Sequence, residues 1–285
     1  EIFGGYIDTY YYNQSIQDGY TLRLLHEVIE TEYRALLEQA LKDVELIVGD
    51  AKKRGVLYSH ENFVKPLTQY IVTDLLTARR TSRDNSIGGM VVCDSSRQAR
   101  AVMEVLKNQY PDIRTALILH DEGTKKDRKA LTDQYKNGEI DLLVVFNMLL
   151  TGFDAPRLKK LYMGRIVKDH SLLQTLARVN RPYGNWRYGH VVDFADIRNA
   201  FNKANAAYLE ELKNEIVDDW TNFDALFKTP EEIQATVAQI KSYIFKYCPD
   251  NLVEFADLLE TADKKELQAL RRTLADARDL RASII

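Results

Sequence analysis

Short apolar runs alternate with segments of helical periodicity through the middle of the chain. The runs are rich in β-branched residues, and each is short enough to be a buried strand. Between them, apolar residues recur every three or four positions, as they do along one side of a helix. Such alternation predicts an α/β domain, in which helices cover both faces of a parallel sheet. The predicted strands lie near 89–93, 113–119, 140–146, 158–163 and 190–194, and the helices near 96–109, 125–137 and 171–181.

The two ends of the chain differ from this middle part. Residues 1–25 are rich in tyrosine, and Asp18-Gly19 is a good turn, so a lead-in hairpin or an edge strand is expected there. After Asp193 only helical spacing recurs, near 196–217, 230–247, 252–261 and 263–281. We therefore expect three parts: lead-in elements over 1–85, the α/β domain over 86–200, and an all-helical region over 201–285 that is truncated at its end.

Composition narrows the class of protein. A chain of 285 residues with 45% hydrophobic residues can form about two domains with proper cores. No apolar run approaches the roughly 20 residues of a membrane span, so no membrane partner is expected. Cys93 and Cys248 lie far apart without metal-ligand spacing, which argues against a disulfide framework or a zinc site. We expect a cytoplasmic protein and no bound structural metal.

Charge gives no support for nucleic-acid binding. The formal net charge is −3, whereas many nucleic-acid binders are strongly basic. Local basic clusters do occur, and we interpret each as solvated surface. They are Lys52-Lys53-Arg54, Arg79-Arg80 with Arg83, Lys125-Lys126 with Arg128-Lys129, and Arg157 with Lys159-Lys160.

Three polar residues in the predicted helix 171–181 are spaced for one helical face. Gln174, Arg178 and Arg181 follow one another at intervals of four and three residues. A guanidinium group is always charged and its planar fork matches phosphate oxygens, so this face suits a phosphate group. Ser171 with Gln174 could instead form a capping box, and the arginines could be a solvated face.

A loop directly after the predicted strand 140–146 favours the phosphate-binding interpretation over the capping box and the solvated face. It contains Thr151-Gly152-Phe153-Asp154-Ala155-Pro156. Ligands in open parallel sheets bind beyond the carboxyl ends of the strands. We therefore expect Thr151 and Asp154 at that edge of the sheet, although an ordinary turn is an alternative interpretation.

Together these segments resemble a known family. The segments 88–99, 147–156, 169–183 and 189–194 match, in order and at sensible spacing, the second RecA-like domain of superfamily 2 helicases and translocases. The motor (R) subunit of type I restriction–modification enzymes is the closest resemblance, and it extends over about two-thirds of the chain. It implies a RecA-like parallel sheet with helices on both faces.

The resemblance implies a role in ATP hydrolysis for the arginines. Arg178 and Arg181 would reach the γ-phosphate of ATP, and Arg181 would be the arginine finger that stabilises charge during phosphoryl transfer. Gln174 would stand near the phosphates, while Gly152 and Asp154 would border the nucleotide.

The resemblance also implies contacts with double-stranded DNA. Ser95, Ser96 and Arg97 would contact its backbone, and Thr151 would couple the nucleotide to the DNA. Contacts of this kind position a strand without reading its sequence.

A phosphate-binding loop is missing from the sequence. No Gly-x-x-x-x-Gly-Lys-Ser/Thr occurs, and the chain has no Gly-Lys dipeptide. Asp121 and Glu122 follow an apolar run like a magnesium-holding pair, but we interpret them as a turn before the next helix. In the family, ATP and Mg²⁺ are held mainly by the first RecA-like domain, so this segment is expected to bind neither tightly.

The expected protein is therefore part of a longer polypeptide that also carries a first RecA-like domain and a nuclease domain. Its partners would be methyltransferase and specificity subunits, and the isolated segment would be inactive. One alternative is another superfamily 2 motor, from DNA repair or type III restriction. The other is a catalytically silent α/β module whose arginine face docks an acidic protein. A docking module, however, has no need of glycine and proline after the strand 140–146.

Overall fold

The computed structural model describes residues 18–28, 35–40, 42–43, 58–165, 167, 169–194, 229–245 and 252–280. The chain divides into two units, Glu1–Leu226 and Phe227–Ile285. Residues 1–17, Cys248 and the predicted helix 196–217 lie outside the described residues. The three-part division expected from the sequence stays a prediction.

One parallel sheet of six strands organises the first unit. All neighbouring strands run in the same direction, and the order across the sheet is β1-β6-β5-β2-β4-β3. The α/β class predicted from the alternation of strands and helices is confirmed. The strands are β1 (Arg23–Val28), β2 (Gly88–Val92), β3 (Thr115–Ile118), β4 (Leu142–Val145), β5 (Leu158–Met163) and β6 (Tyr188–Asp193).

In the part of this unit that the structure describes, four helices of 8 or more residues connect these strands, and residues 35–40 and 42–43 are also helical. Polar N-caps begin two of them at the predicted places: the Ser95 hydroxyl accepts from the Gln98 amide, and Thr124 forms a capping box with Asp127. The lead-in contributes the edge strand β1, which pairs in parallel with β6. The helices are α1 (Glu61–Ser82), α2 (Ser96–Gln109), α3 (Lys125–Lys136) and α4 (Asp169–Leu176).

Helices cover both faces of the sheet. On the first face, Val91, Tyr162 and Val192 occupy neighbouring register positions and share a core with residues of α1 and α2. On the second face, a Cβ added to Gly88 would lie 2.5 Å from the Tyr135 hydroxyl of α3. Because adjacent strand residues point to opposite faces, α3 lies opposite α1 and α2.

The basic clusters are not all solvated surface, so that interpretation was wrong for four residues. Arg79, Arg157, Lys159 and Lys160 are at most 8% exposed. Each has a polar partner that the local sequence does not reveal. The Lys160 ammonium, for example, lies 3.1 Å from an Asp74 carboxylate oxygen on α1.

The second unit contains only helices in its described part: α5 (Pro230–Phe245), α6 (Leu252–Thr261) and α7 (Lys264–Leu280). α5 begins where predicted, because the Thr229 hydroxyl accepts from the Glu232 amide while the Glu232 carboxylate accepts from the Thr229 amide. Ile240 of α5 and Leu270 of α7 are buried. Along the described residues, no helix is both long and apolar enough to cross a membrane.

A charge network around the buried residues Asp141 and Arg79 joins the amino ends of three neighbouring strands. Asp141, just before β4, accepts from the Arg79 guanidinium at 2.6 Å and from Arg114 Nε at 2.8 Å. Arg79 also donates to the Ile87 carbonyl before β2. Burial opposes ionisation of Asp141, but the hydrogen bonds from Arg114 and Arg79 outweigh it and hold the pKa of this carboxyl below its usual value.

Replacing Asp141 with asparagine should destabilise the first unit. Arg79 would remain buried without its counter-charge, and breaking such a pair costs about 3–5 kcal/mol. Because the pKa is lowered in the folded state, the contribution is complete above the ordinary value of 3.8 and is lost as the pH falls below it. Urea unfolding at about pH 7 and about pH 3 measures both effects.

Asp133→Asn is the matched control, because Asp133 is exposed on α3. Its free energy of unfolding should stay within about 0.5 kcal/mol of the parent. If Asp141→Asn and the parent have equal free energies of unfolding at neutral pH, the network does not stabilise the first unit as proposed.

Candidate functional site

The loop between β4 and β5 crosses the second face of the sheet. Since the two strands are parallel, their connection must return from the carboxyl end of β4 to the amino end of β5. Phe153 anchors this return: it is buried, and its ring centroid lies 6.0 Å from that of Tyr135 on α3. Gly152 has φ +69°, a conformation that favours glycine, and Thr151, Gly152 and Asp154 are exposed.

Asp154 therefore does not lie beyond the carboxyl ends of the strands, and that expectation was wrong. The Leu158 amide at the start of β5 donates to the Ala155 carbonyl at 2.9 Å, which places Asp154 beside the amino end of β5. The connection between the parallel strands β4 and β5 must cross the length of the sheet, and it has done so before it reaches Asp154.

The arginines do not lie on a continuous helix either. α4 ends at Leu176 rather than near Arg181. Beyond it, the Arg178 amide donates to the Thr175 carbonyl and the Val179 amide to the Leu176 carbonyl, a tightened pattern typical of helix ends. We call Ala177–Arg181 the arginine turn. The prediction that Gln174, Arg178 and Arg181 share one helical face is therefore wrong, because the helix ends at Leu176, before both arginines.

Arg178 ties the arginine turn to the loop. Its Nη1 donates to the Phe153 carbonyl at 2.7 Å, and its Nε donates to the Gln174 carbonyl at 2.8 Å. Burial lowers the pKa of this guanidinium, and the nearby charge of Arg181 lowers it further. Gln174 lies on α4, partly exposed, one turn before Arg178.

Arg181 is held much more loosely. Its Nε lies 3.3 Å from an Asp154 carboxylate oxygen, and half of its side chain is exposed. Ion pairs at the surface contribute little to stability, so an incoming anion can displace this contact. The fold thus brings together the predicted nucleotide residues Gly152, Asp154, Arg178 and Arg181. Their charge and geometry suit a phosphate group.

The predicted DNA residues Ser95, Ser96 and Arg97 lie elsewhere, at the carboxyl end of β2. Ser95 is the N-cap of α2, and the Arg97 side chain is exposed. The arginine turn lies near the amino end of β5, because the Arg181 carbonyl accepts from the Lys159 ammonium. The fold therefore separates the two predicted groups along the length of the sheet, and the loop that carries Thr151 runs between these ends.

Arg165 was not identified from the sequence. It follows β5 and donates from Nη2 to the Asn147 side chain at 2.7 Å and to the Phe146 carbonyl at 3.0 Å. Burial lowers the pKa of its guanidinium, which lies 4.7 Å from the centre of the Phe146 ring. Its place just after the predicted strand 158–163 is the signal that could have identified it.

Asp121 and Glu122 form a turn, as we interpreted them. Both carboxylates are exposed and lie 3.0 Å from an Arg100 guanidinium nitrogen. In the part of the chain that the structure describes, no group of three or more His, Cys, Asp or Glu side chains could hold a metal ion.

Comparison with known proteins shows which family this part of the chain is similar to. The family model of type I restriction enzyme subunit R domain 3 matches residues 67–196, which include the six site residues from Ser95 to Asp154 and the arginine turn. Residues 67–196 are thus similar to this domain. The chain is therefore similar to type I restriction enzyme R subunits, which its sequence motifs also resemble.

Curated relatives carry the same designation. The "Putative type I restriction enzyme MjaVIIIP endonuclease subunit" of Methanocaldococcus jannaschii is 28% identical over 238 residues, covering 67% of this chain and 23% of that protein. The type I restriction enzyme HindI endonuclease subunit of Haemophilus influenzae is 22% identical over 276 residues, covering 82% of this chain and 25% of that protein. The chain thus spans about a quarter of the length of these relatives.

Solved structures are similar at lower identity. "The fragment structure of a putative HsdR subunit of a type I restriction enzyme from Vibrio vulnificus YJ016" is 20% identical, with a TM-score of 0.48, and covers 71% of this chain and 37% of that one. Domain 2 of the DEAD-box helicase Mss116p, bound to an RNA duplex, is 12% identical, with a TM-score of 0.36, and covers 89% and 85%.

The two arginines should differ in their effect on stability. Arg178→Ala removes two hydrogen bonds from a partly buried guanidinium, so we expect a loss of about 1.5–3 kcal/mol in the free energy of unfolding. Arg181→Ala removes only a surface ion pair and should change stability by less than about 0.5 kcal/mol. Urea unfolding of the two variants beside the parent measures this. Equal losses would show that Arg181 is also a structural residue.

Proposed function

We propose that this chain is the second motor domain of an ATP-dependent DNA translocase in a type I restriction–modification endonuclease. The observation that carries the proposal is the exposed Arg181 guanidinium, presented beside Asp154 by a turn whose other arginine is tied to the backbone. An arginine that is always charged and weakly held is suited to stabilise negative charge that develops on a phosphoryl group.

The two arginines have different parts in this proposal. Arg181 is the arginine finger that reaches the γ-phosphate. Arg178 fixes the loop through the Phe153 carbonyl, and its Nη2 takes part in neither backbone contact. Gln174 stands near the phosphates, and Gly152 and Asp154 border the nucleotide. Release of Asp154 from Arg181 would accompany the arrival of ATP.

ATP and Mg²⁺ would be held mainly by a first RecA-like domain in the same polypeptide. This chain offers a few charge-assisted hydrogen bonds, worth about 1.5–3 kcal/mol each. Association itself costs at least about 4 kcal/mol in lost translational and rotational freedom. We therefore expect the isolated chain to bind ATP weakly and to be inactive.

Double-stranded DNA would be gripped at the other group of residues. Ser95, Ser96 and Arg97 lie together at the amino end of α2, where backbone amides and the guanidinium suit phosphate oxygens. Thr151, exposed in the loop between the two groups, would couple nucleotide state to DNA. The further partners in the cytoplasm would be a nuclease domain of the same polypeptide and the methyltransferase and specificity subunits.

Arg181→Ala in the complete polypeptide should abolish DNA-stimulated ATP hydrolysis. Loss of an arginine finger lowers the rate by about 10³–10⁵-fold. The rate of phosphate release with and without DNA measures this. Arg80→Ala, which removes an exposed arginine from α1, is the control and should retain activity. Hydrolysis by Arg181→Ala within about tenfold of the parent would exclude the finger role and would favour a module whose arginines dock an acidic protein.

Arg97→Ala should weaken DNA binding by about the same factor for every sequence. Removal of one phosphate contact lowers the slope of log K against log salt by about 1. Binding to two unrelated duplexes across a salt series measures this, again with Arg80→Ala as the control. An altered sequence preference at an unchanged salt slope would show that Arg97 does not contact the DNA backbone.

A further inference from the structure

The backbone carbonyls at the end of the arginine turn are bonded to the sheet. The Asn180 carbonyl accepts from the Leu22 amide, just before β1, at 2.5 Å. The carbonyls on either side, those of Val179 and Arg181, both accept from the Lys159 ammonium of β5. Three consecutive peptide groups are therefore bonded from two places, β5 and the residue just before β1, which lie on either side of β6 in the sheet.

Lys159 occupies a special position in its strand. Leu158 and Lys160 pair with the consecutive residues Gly88 and Gly89 of β2, so Lys159 is an extra residue at a bulge. A bulge re-aims the side chain that it carries. Here the side chain is fully buried, and its ammonium reaches the turn.

A charged ammonium is unfavourable in this position, because burial removes it from water. Burial lowers the pKa of Lys159 to about 7. A methionine or leucine would fill the same space without that cost. The contacts that the ammonium makes, and that an apolar side chain could not make, are those with the Val179 and Arg181 carbonyls.

The neighbouring strand β6 has a glycine at the point where the arginine turn approaches it most closely. A Cβ added to Gly189 of β6 would lie 2.2 Å from the Val179 carbonyl oxygen. Only glycine lets this carbonyl sit so close to the sheet. Lys159 of β5 thus donates to the Val179 carbonyl, and Gly189 of β6 leaves the space that this carbonyl occupies.

We infer that Lys159 is a positioning residue, which fixes the backbone of the arginine turn and thereby aims the Arg181 guanidinium. Among the described residues, the Arg181 side chain contacts a surface carboxylate, that of Asp154, so its direction depends mainly on its backbone. The consequence for catalysis rests on the proposed function of Arg181. A shift of about 1 Å in a catalytic group can cost about 10²-fold in rate.

The test is Lys159→Met in the complete polypeptide, with Lys160→Met as the matched control. Both remove a buried ammonium from β5, but the Lys160 ammonium donates to Asp74 of α1, whereas the Lys159 ammonium donates to the turn. In Lys159→Met, amide hydrogen exchange over 177–183 should become faster while the strands keep their protection. In Lys160→Met, exchange over 177–183 should match the parent. Unchanged exchange in Lys159→Met would overturn the inference, whatever Arg181 does.

The kinetic readout separates positioning from a structural role. Lys159→Met should lower kcat for DNA-stimulated ATP hydrolysis by about 10–100-fold, with a KM for ATP within about threefold of the parent. In an Arg181→Ala background it should cause no further loss, because it acts through Arg181. An additional loss in that background, or full activity of Lys159→Met, would overturn the inference.

The outcomes also distinguish this inference from the proposed function. If Arg181→Ala retains activity, the finger role fails, while the exchange measurement still decides whether Lys159 fixes the turn. Lys159→Gln serves if the methionine variant does not fold, because its amide is shorter and cannot reach both carbonyls. It should give intermediate exchange over 177–183, and parent-like exchange would count against the inference.

Discussion

Buried cations bonded to backbone carbonyls are the interactions on which this sheet depends. Arg79 joins α1 to the Ile87 carbonyl and to Asp141, while Arg157 donates to the Ser86, Tyr135 and Ile140 carbonyls. These contacts gather the amino ends of β2, β4 and β5, the places where the chain enters the sheet. Carbonyls that end a loop or helix have no ladder partner there, and a guanidinium satisfies several of them at once.

The same chemistry recurs at the arginine turn with a different result. Among the described residues, Lys159 and Arg178 donate to backbone carbonyls, whereas Arg181 pairs with a surface carboxylate. Rigid backbone and a loosely held guanidinium are therefore adjacent in the chain. This division suits a group that must be aimed in advance yet free to meet a ligand.

The loop between β4 and β5 spans the distance between the two candidate sites. At its start, the Phe146 carbonyl and Asn147 accept from Arg165 at the carboxyl ends of the strands. Near its end, the Phe153 carbonyl accepts from Arg178. In the proposed motor, this segment would link the two groups of residues, since each end of it is bonded to an arginine.

The sequence by itself determined the α/β class, the order of strands and helices and the Thr229 cap of α5, because these follow from periodicity and short-range hydrogen bonding. It also singled out Gly152, Asp154, Arg178 and Arg181, which the fold brings together. Only the tertiary structure decided that α4 ends at Leu176 and that Arg79, Arg157, Lys159 and Lys160 are buried. The carbonyls and carboxylates that compensate those charges lie far away in the chain, and a local pattern carries no information about such partners.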